Sequence, residues 1–164
     1  MKKLILLFLC LLILLTGCIP SRKSAENTAN FYYCKDSDAF SVGEAFIQPE
    51  ERAITEAQKD LSKLLRVYFA GPEEAGYRSP LPDHLAVISC EIADDTVFIT
   101  LSDQISRLTG SRLTVACACI SLTVLDYTNA ESVVIRAQNS LLDGSETVEM
   151  SREQLAIFDP DSQK

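Results

Sequence analysis

Hydrophobic and polar positions recur with two different periods along the chain, and each period predicts a different kind of element. Apolar residues at helical spacing form one stripe: Ala57, Leu61, Leu64, Leu65 and Tyr68. Thr55 and Gln58 make a capping-box pattern before this stripe, and Gly71-Pro72 follows it. The stripe therefore predicts a single amphipathic helix that begins after Thr55 and ends before Gly71.

Alternation with a period of two predicts the strands. The predicted strands cover residues 31–35, 86–93, 96–101 and 132–137, with shorter ones at 46–48 and 147–150. Asp94-Asp95 predicts a tight hairpin between the second and third of the longer strands, and Asp143-Gly144 predicts another turn. In the hairpin the alternation indicates a sheet with one buried face and one more polar face.

Residues 111–127 fit two interpretations. Their β-branched content favours a strand, but 17 residues is long for one strand. As a helix the segment is apolar nearly all round, which is typical of a helix buried against a sheet. The length favours the helix. A second capping-box pattern, from Ser151 to Gln154, predicts a terminal turn through Phe158.

The first residues predict an export signal. Lys2-Lys3 precede an unbroken apolar run of 12 residues from Leu4 to Leu15, too short for a spanning helix. Leu15-Thr16-Gly17-Cys18 resembles a bacterial lipobox. We predict a signal peptide at 1–17 and a diacylglyceryl group, with acyl chains such as palmitate, on Cys18. The alternatives are an ordinary signal peptide with an incidental Cys18, and a short uncleaved anchor.

This prediction places the protein at the cell membrane, lipid-anchored and facing the extracytoplasmic side. Residues 18–30 are polar and small without an apolar period, which indicates a flexible tether from Cys18. Two acyl chains are needed for stable anchoring, and the diacylglyceryl group supplies them. The 147 residues that remain after 1–17 suit one domain.

The charge balance is acidic and excludes several kinds of partner. The sequence has 15 Lys and Arg against 23 Asp and Glu, a formal net charge of −8. Without Lys2 and Lys3 the balance becomes 13 against 23, or −10. Nucleic-acid binding requires a basic surface, so we predict no nucleic-acid partner. Electrostatic docking on anionic lipid is excluded for the same reason, which leaves the tether as the membrane attachment.

Four cysteines remain for the folded part: Cys34, Cys90, Cys117 and Cys119. An exported chain could join them in two disulfides, with three possible pairings. All four lie in apolar segments, however, and this pattern favours buried thiols. The Cys-x-Cys spacing is too short for a typical zinc site. The single histidine, His84, lies in a proline-flanked stretch and is interpreted as an exposed loop residue.

The sequence contains no catalytic motif. It has no nucleophile elbow, phosphate-binding loop or zinc-protease helix, and one histidine leaves little for a triad. Pairs of aspartates lie in predicted turns or the tail, at Asp36/Asp38, Asp94/Asp95 and Asp159/Asp161, where exposed carboxylates are expected. The turn at Asp36 lacks the spaced ligands of a known calcium loop. We predict no enzyme, no catalytic or metal-binding residue and no cofactor.

The order of elements resembles the GerMN domain of GerM-type sporulation and germination lipoproteins, over residues 31–158. The resemblance rests on Gly71-Pro72 after the first helix, on Pro82 leading into residues 86–89, on the strand 96–102 and on the helical segment 117–123. Asp94-Asp95 departs from the family's usual Asp-Gly turn, and the last strand matches poorly. Residues 159–164 form a tail beyond it.

The resemblance implies a fold and a role. The implied fold is α+β: a single small domain with a mostly antiparallel sheet and two helices packed on one face. Relatives are similar to the ring-building modules of sporulation machines, and no catalytic residues come with the family. We therefore expect a non-catalytic assembly or scaffold lipoprotein of the cell envelope, acting in spore formation or germination with envelope or sporulation proteins.

Two other functions are retained for comparison. A ligand-binding lipoprotein would capture a cell-wall fragment or small solute in an apolar pocket, with Tyr32, Tyr33 and Tyr77 as expected lining residues. A wall-active hydrolase would need a site that the single histidine makes hard to build. An exposed sheet edge or apolar patch would favour the assembly function, and a pocket would favour ligand binding.

Overall fold

The computed structural model describes residues 27–36 and 46–156. Within them lie seven strands: β1 Thr28–Lys35, β2 Ile47–Ala53, β3 Tyr77–Arg78, β4 Val87–Ala93, β5 Thr96–Leu101, β6 Ser132–Ala137 and β7 Val148–Ser151. The α-helices of these residues are α1 Leu61–Phe69, α2 Gly110–Tyr127 and α3 Arg152–Leu155, with short 3-10 helices at Glu56–Gln58 and Asp103–Arg107. Predictions for Cys18, Asp38, Phe158 and the tail lie outside the described residues.

The strands form two sheets, so the predicted α+β class is confirmed and the prediction of a single sheet is wrong. The first sheet has the order β2-β1-β3 and is antiparallel. The second has the order β4-β5-β6-β7, with β5 and β6 parallel and the outer pairs antiparallel. Strand β6 can run parallel to β5 because α2 provides the crossover between them.

The long helix α2 explains why two sheets are needed. It contacts β1 of the first sheet and β6 and β7 of the second. Every residue from Ala116 to Leu125 is buried. A helix that is apolar nearly all round must be covered on opposite sides, and one sheet can cover only one side. The prediction of a helix over 111–127 is confirmed, and the arrangement of both helices on one face of one sheet is not.

The first predicted helix is two elements. Thr55 and Gln58 do form the predicted capping box, but around the 3-10 helix Glu56–Gln58. The α-helix then begins at Leu61, because the side chain of Asp60 accepts a hydrogen bond from Lys63 N at 3.1 Å. Ala57 is consequently exposed, and the buried stripe of α1 narrows to Leu64, Leu65 and Tyr68.

The first sheet is longer than predicted at both of its main strands. β1 begins at Thr28, so the last three residues of the predicted tether belong to the sheet. β2 continues through Pro49 to Ala53. Pro49 is tolerated because it lies opposite Tyr32, whose backbone bonds elsewhere. Tyr32 N donates to Thr123 Oγ1 at 3.0 Å, and Tyr68 Oη donates to Tyr32 O at 2.8 Å.

Two residues of β2, Glu50 and Arg52, form a buried ion pair in the first sheet. Arg52 Nη2 is 3.4 Å from Glu50 Oε2, and both side chains are buried. Arg52 also donates to Tyr33 Oη, and its guanidinium lies 4.2 Å from the centre of the Phe31 ring. Glu50 Oε1 accepts from the backbone nitrogens of residues 73 and 74 at 2.9 and 2.7 Å. The pair therefore fastens the loop after α1 to the sheet.

The second sheet follows the sequence predictions closely. The hairpin at Asp94-Asp95 is confirmed, and Asp94 takes the positive φ of 51° that a glycine would otherwise supply. A bulge between Val87 and Ser89 shifts the register of β4. β7 is an edge strand, and α3 follows it with the predicted capping box of Ser151 and Gln154.

Candidate functional sites

The two faces of the second sheet differ in what covers them. The register pairs Val97 with Val133 and Ile99 with Ile135, and these four side chains are fully or almost fully buried against the interior. The residues between them point to the opposite face, which we call the outer face. Among the described residues no helix or strand covers the outer face.

One row of the outer face crosses all four strands. Glu91 pairs with Phe98, Phe98 with Val134, and Val134 with Glu149. Phe98 is 45% exposed, and both glutamates are exposed. The row therefore has an apolar centre between two carboxylates. Ile88 and Leu141, 47% and 55% exposed, add apolar surface at one end of the face.

Arg136 is the cation of the outer face. It pairs across the strands with Thr100, and its Nε donates to Thr100 Oγ1 at 2.8 Å. This bond fixes the guanidinium across the sheet. A hollow of about 440 Å³ lies beside it over Phe98 and Val134, and one of about 460 Å³ lies on its other side, towards Leu141. The outer face can therefore receive apolar side chains and a carboxylate.

The edge of β4 adjoins the outer face. Ala93 and Thr96 close a two-residue turn, so they form a hydrogen-bonded pair, and the alternation turns the backbone groups of Cys90 and Ile92 away from β5. Within residues 27–36 and 46–156 these groups receive no hydrogen bond from another element. The Ile92 side chain is 59% exposed beside them. This open edge can accept another strand.

A separate cavity of about 510 Å³ lies between the proline loop and the start of α2. Its wall contains Phe46, Leu81, Leu108 and Val115 as apolar residues, and the guanidinium groups of Arg78 and Arg112 as cations. Cys34 reaches the cavity from β1. Asp83 also lines the cavity, so the two arginines leave its wall with a net positive charge, which suits an anionic ligand.

The four cysteines of the described residues are free thiols in four different electrostatic environments. A hydrogen bond from Cys119 and the nearby Arg78 lower the pKa of Cys34, against the effect of burial. Burial raises the pKa of Cys119 well above its ordinary value and that of Cys117 to about 12. Burial, with the charges of Asp60 and Glu91, raises the pKa of Cys90 to about 11.

The tyrosines expected to line a pocket do not line the large cavity. Tyr33 is fully buried and donates to Tyr68 O at 2.8 Å, and Tyr77 donates to Pro49 O at 3.1 Å. Tyr32 contributes only to a smaller hollow of about 240 Å³ beside α3. These tyrosines have a structural role, because their rings pack in or beside the first sheet and the hydroxyl groups of Tyr33 and Tyr77 bond to backbone carbonyls.

The remaining predicted residues behave as loop residues where they are described. His84 is exposed, as expected, with a positive φ of 60°. Asp94 and Asp95 are exposed in the hairpin turn. In the described part of the chain, no three His, Cys, Asp or Glu side chains come together as a metal site would require. Nor does this part contain a helix long and apolar enough to cross a membrane.

The sequence predicted a more polar face for the hairpin of β4 and β5, but it did not predict the apolar centre of this face. Phe98 and Val134 were visible as apolar residues at alternate strand positions, but their neighbours Val97 and Val133 are apolar as well. The order of the strands brings Phe98 and Val134 together in one row on the open face.

Comparison with solved structures identifies the class of fold. The tandem GerMN domains of the sporulation protein GerM from Bacillus subtilis match with a TM-score of 0.62 at 18% identity, over 84% of this chain and 49% of that chain. The first GerMN domain of the same protein matches with a TM-score of 0.58 at 13% identity, over 77% of this chain and 98% of that chain. The chain therefore has the GerMN fold and spans about half of the tandem structure.

The family follows from the sequence. Residues 30–143 match the family described as "Germane: Sporulation and spore germination". This match covers more than half of the chain, so the protein belongs to the Germane family. The resemblance to GerMN domains is thereby confirmed. A search of curated proteins found no significant match.

Proposed function

We propose that this protein is a non-catalytic assembly module of the cell envelope in spore formation or germination, held at the extracytoplasmic side of the membrane by lipid on Cys18. The observation that carries the proposal is the uncovered outer face of the second sheet. Membership of the Germane family supports the physiological setting.

The chemistry of the outer face supports a protein partner. An apolar centre at Phe98 and Val134 provides the surface that desolvates on binding, and hot spots of interfaces are commonly aromatic. Arg136 provides a charged contact inside the rim, while Glu91 and Glu149 bound the row at its two ends. The complementary partner is a protein surface with an apolar centre and basic residues at its edges.

The test is in-cell crosslinking and co-purification of the tagged full chain from growing and from sporulating cells. We expect sporulation or envelope proteins to be enriched with the wild-type protein. Phe98→Lys should abolish the enrichment, because it places an ammonium group at the apolar centre. Ala57→Lys adds the same charge at an exposed position away from the second sheet and should leave the enrichment intact.

Three outcomes would contradict the proposal. Recovery of the protein alone in both states would remove the basis for an assembly function. Equal enrichment with Phe98→Lys and wild type would show that partners bind elsewhere. Loss with both lysine variants would indicate a general effect of charge, which also contradicts a role for the outer face.

The lipid anchor has its own test. Cys18→Ala should abolish metabolic acyl labelling and move the protein out of the membrane fraction, since Cys18 is the predicted acceptor. Cys10→Ala removes the other cysteine of the leader and should leave labelling unchanged. Persistent labelling of Cys18→Ala would contradict lipidation at Cys18, and a wild-type protein that stays in the membrane fraction without any label would favour an uncleaved anchor.

The cavity of about 510 Å³ favours a second candidate, a ligand-binding lipoprotein. Its two arginines and apolar wall suit a small solute or wall fragment with a carboxylate. Titration calorimetry with muropeptides should then detect binding that Arg112→Gln weakens. Absence of heat with every fragment would remove this candidate.

A further inference from the structure

We propose that Cys34 and Cys119 form a thiol–disulfide exchange site, in which Cys34 attacks a small anionic disulfide that enters the neighbouring cavity and Cys119 resolves the product. This inference is independent of the proposed assembly function, which uses the second sheet. It rests on the register between β1 and α2, the access to Cys34, and the charges around it.

The register of β1 against α2 brings the two cysteines to the same level. Tyr32 N donates to Thr123 Oγ1, which fixes one point of contact between strand and helix. From Tyr32 to Cys34 the strand advances two residues, about 6.6 Å. From Thr123 back to Cys119 the helix retreats four residues, or one turn, about 6.0 Å. The two cysteines therefore lie at the same level, which agrees with the hydrogen bond between their side chains.

Access to this pair is one-sided. Cys34 is only 3% exposed, and it belongs to the wall of the cavity of about 510 Å³, whereas Cys119 is fully buried and does not line the cavity. A ligand in the cavity can consequently reach Cys34 but cannot reach Cys119. This arrangement separates an attacking cysteine from a resolving one.

The charges around the pair favour the same division of roles. The hydrogen bond from Cys119 and the charge of Arg78 lower the pKa of Cys34, which increases its thiolate fraction at neutral pH. Burial keeps Cys119 protonated. Arg78 and Arg112 in the cavity wall can pair with carboxylates of the entering disulfide.

The exchange balances in two steps. The Cys34 thiolate attacks one sulfur of the ligand disulfide, forming a mixed disulfide and releasing the first ligand thiolate. Cys119 loses its proton, which this thiolate or solvent accepts, and attacks Cys34 Sγ. A Cys34–Cys119 disulfide forms and the second ligand thiolate leaves, to be protonated by solvent. Two protein thiols are oxidised and one ligand disulfide is reduced to two thiols.

The test uses oxidised glutathione as the probe, a small disulfide with several carboxylates. The full chain carrying Cys10→Ser and Cys18→Ser, so that only four thiols remain, is incubated with the probe and followed by intact and peptide mass spectrometry. We expect loss of two hydrogens and a peptide that joins Cys34 to Cys119. Cys119→Ala should instead accumulate glutathione on Cys34.

Three controls sharpen the result. Cys117→Ala removes the thiol two residues away on the same helix and should react like the parent. Arg112→Gln removes the cavity arginine that does not lower the pKa of Cys34, so it should slow exchange with glutathione severalfold but change exchange with the uncharged hydroxyethyl disulfide little. Circular dichroism on each variant establishes that it is folded before exchange is measured.

The outcomes separate the proposal from its alternatives. Joining of any other cysteine pair, or glutathione on Cys90 in preference to Cys34, would overturn it. Folded Cys119→Ala that acquires no glutathione would overturn it too, because Cys34 would then be inaccessible. Equal slowing of both disulfides by Arg112→Gln would contradict the selection of an anionic ligand.

Discussion

The two sheets of this domain differ in which residues depart from the usual rule that apolar side chains are buried and polar side chains are exposed. The first sheet buries polar groups: Arg52 and Glu50 lie inside it, and the backbone of Tyr32 bonds to side chains of two helices. The second sheet exposes apolar groups, with Phe98 and Ile92 at its surface. The partners that buried polar groups find favour one packing, although Glu50 Oε2 and Arg52 Nε have no hydrogen-bond partner among the described residues. Exposed apolar groups are available for contacts. We infer that stability is concentrated in the first sheet and binding in the second.

The largest expected difference in the free energy of unfolding is between a buried and an exposed apolar residue, each replaced by aspartate. Leu64→Asp places a carboxylate on the fully buried face of α1 and should unfold the domain, with a loss above about 4 kcal/mol. Ile92→Asp makes a similar change on the exposed edge of β4 and should change the free energy of unfolding by only about 0.5 kcal/mol. Urea denaturation followed by circular dichroism measures both. Similar midpoints for the two variants would contradict the contrast between the sheets.

Arginine provides the next comparison. Arg52→Ala leaves the carboxylate of Glu50 buried without its partner, which should cost about 3 kcal/mol. Arg136→Ala removes an exposed guanidinium bonded to Thr100 and should cost under about 1 kcal/mol. The denaturation midpoints of the two variants show whether Arg52→Ala is the more destabilising substitution. A loss of the same size at the two positions would mean that the pair in the first sheet contributes little.

A smaller effect is expected where α2 meets β1. Thr123→Val keeps the shape of the side chain but removes the acceptor of Tyr32 N, so a buried N–H is left without its partner. The expected loss of unfolding free energy is about 1–3 kcal/mol. Thr123→Ser retains the hydroxyl and should lose less. If Ser is the more destabilising substitution, the methyl group and not the hydrogen bond is what this position requires.

Local signals predicted most of the second sheet and less of the first. Turn residues such as Asp94 and Asp143 fix short-range pairings, so the bounds of β5 and β6 follow from the sequence. β2 was predicted short because Pro49 normally interrupts a strand. It continues because Tyr32 opposite it bonds to Thr123 and Tyr68, residues far along the chain. No local pattern contains that information.

The candidate sites depend on contacts between distant segments in the same way. Cys34 and Cys119 are far apart in the sequence, and contacts between β1 and α2, such as that of Tyr32 with Thr123, set them at one level. The outer face is open because of strand order, not because of the composition of β5 or β6. Cys18, in contrast, is predicted from four consecutive residues, and the described residues do not include it.

The finest comparison uses one cysteine from each sheet and leaves stability unchanged. The pKa of Cys34 in the first sheet lies below the ordinary 9.0, and that of Cys90 in the second is raised to about 11. Only the thiolate is alkylated, so the iodoacetamide rate of each cysteine rises with pH until its own pKa is passed. Between pH 7 and 10 the rate at Cys90 should rise about tenfold per pH unit, while the rate at Cys34 levels off below pH 9. Peptide mass spectrometry on the folded full chain separates the two sites. Parallel profiles for both cysteines would contradict the difference in their surroundings, and with it the role of Cys119 and Arg78 beside Cys34.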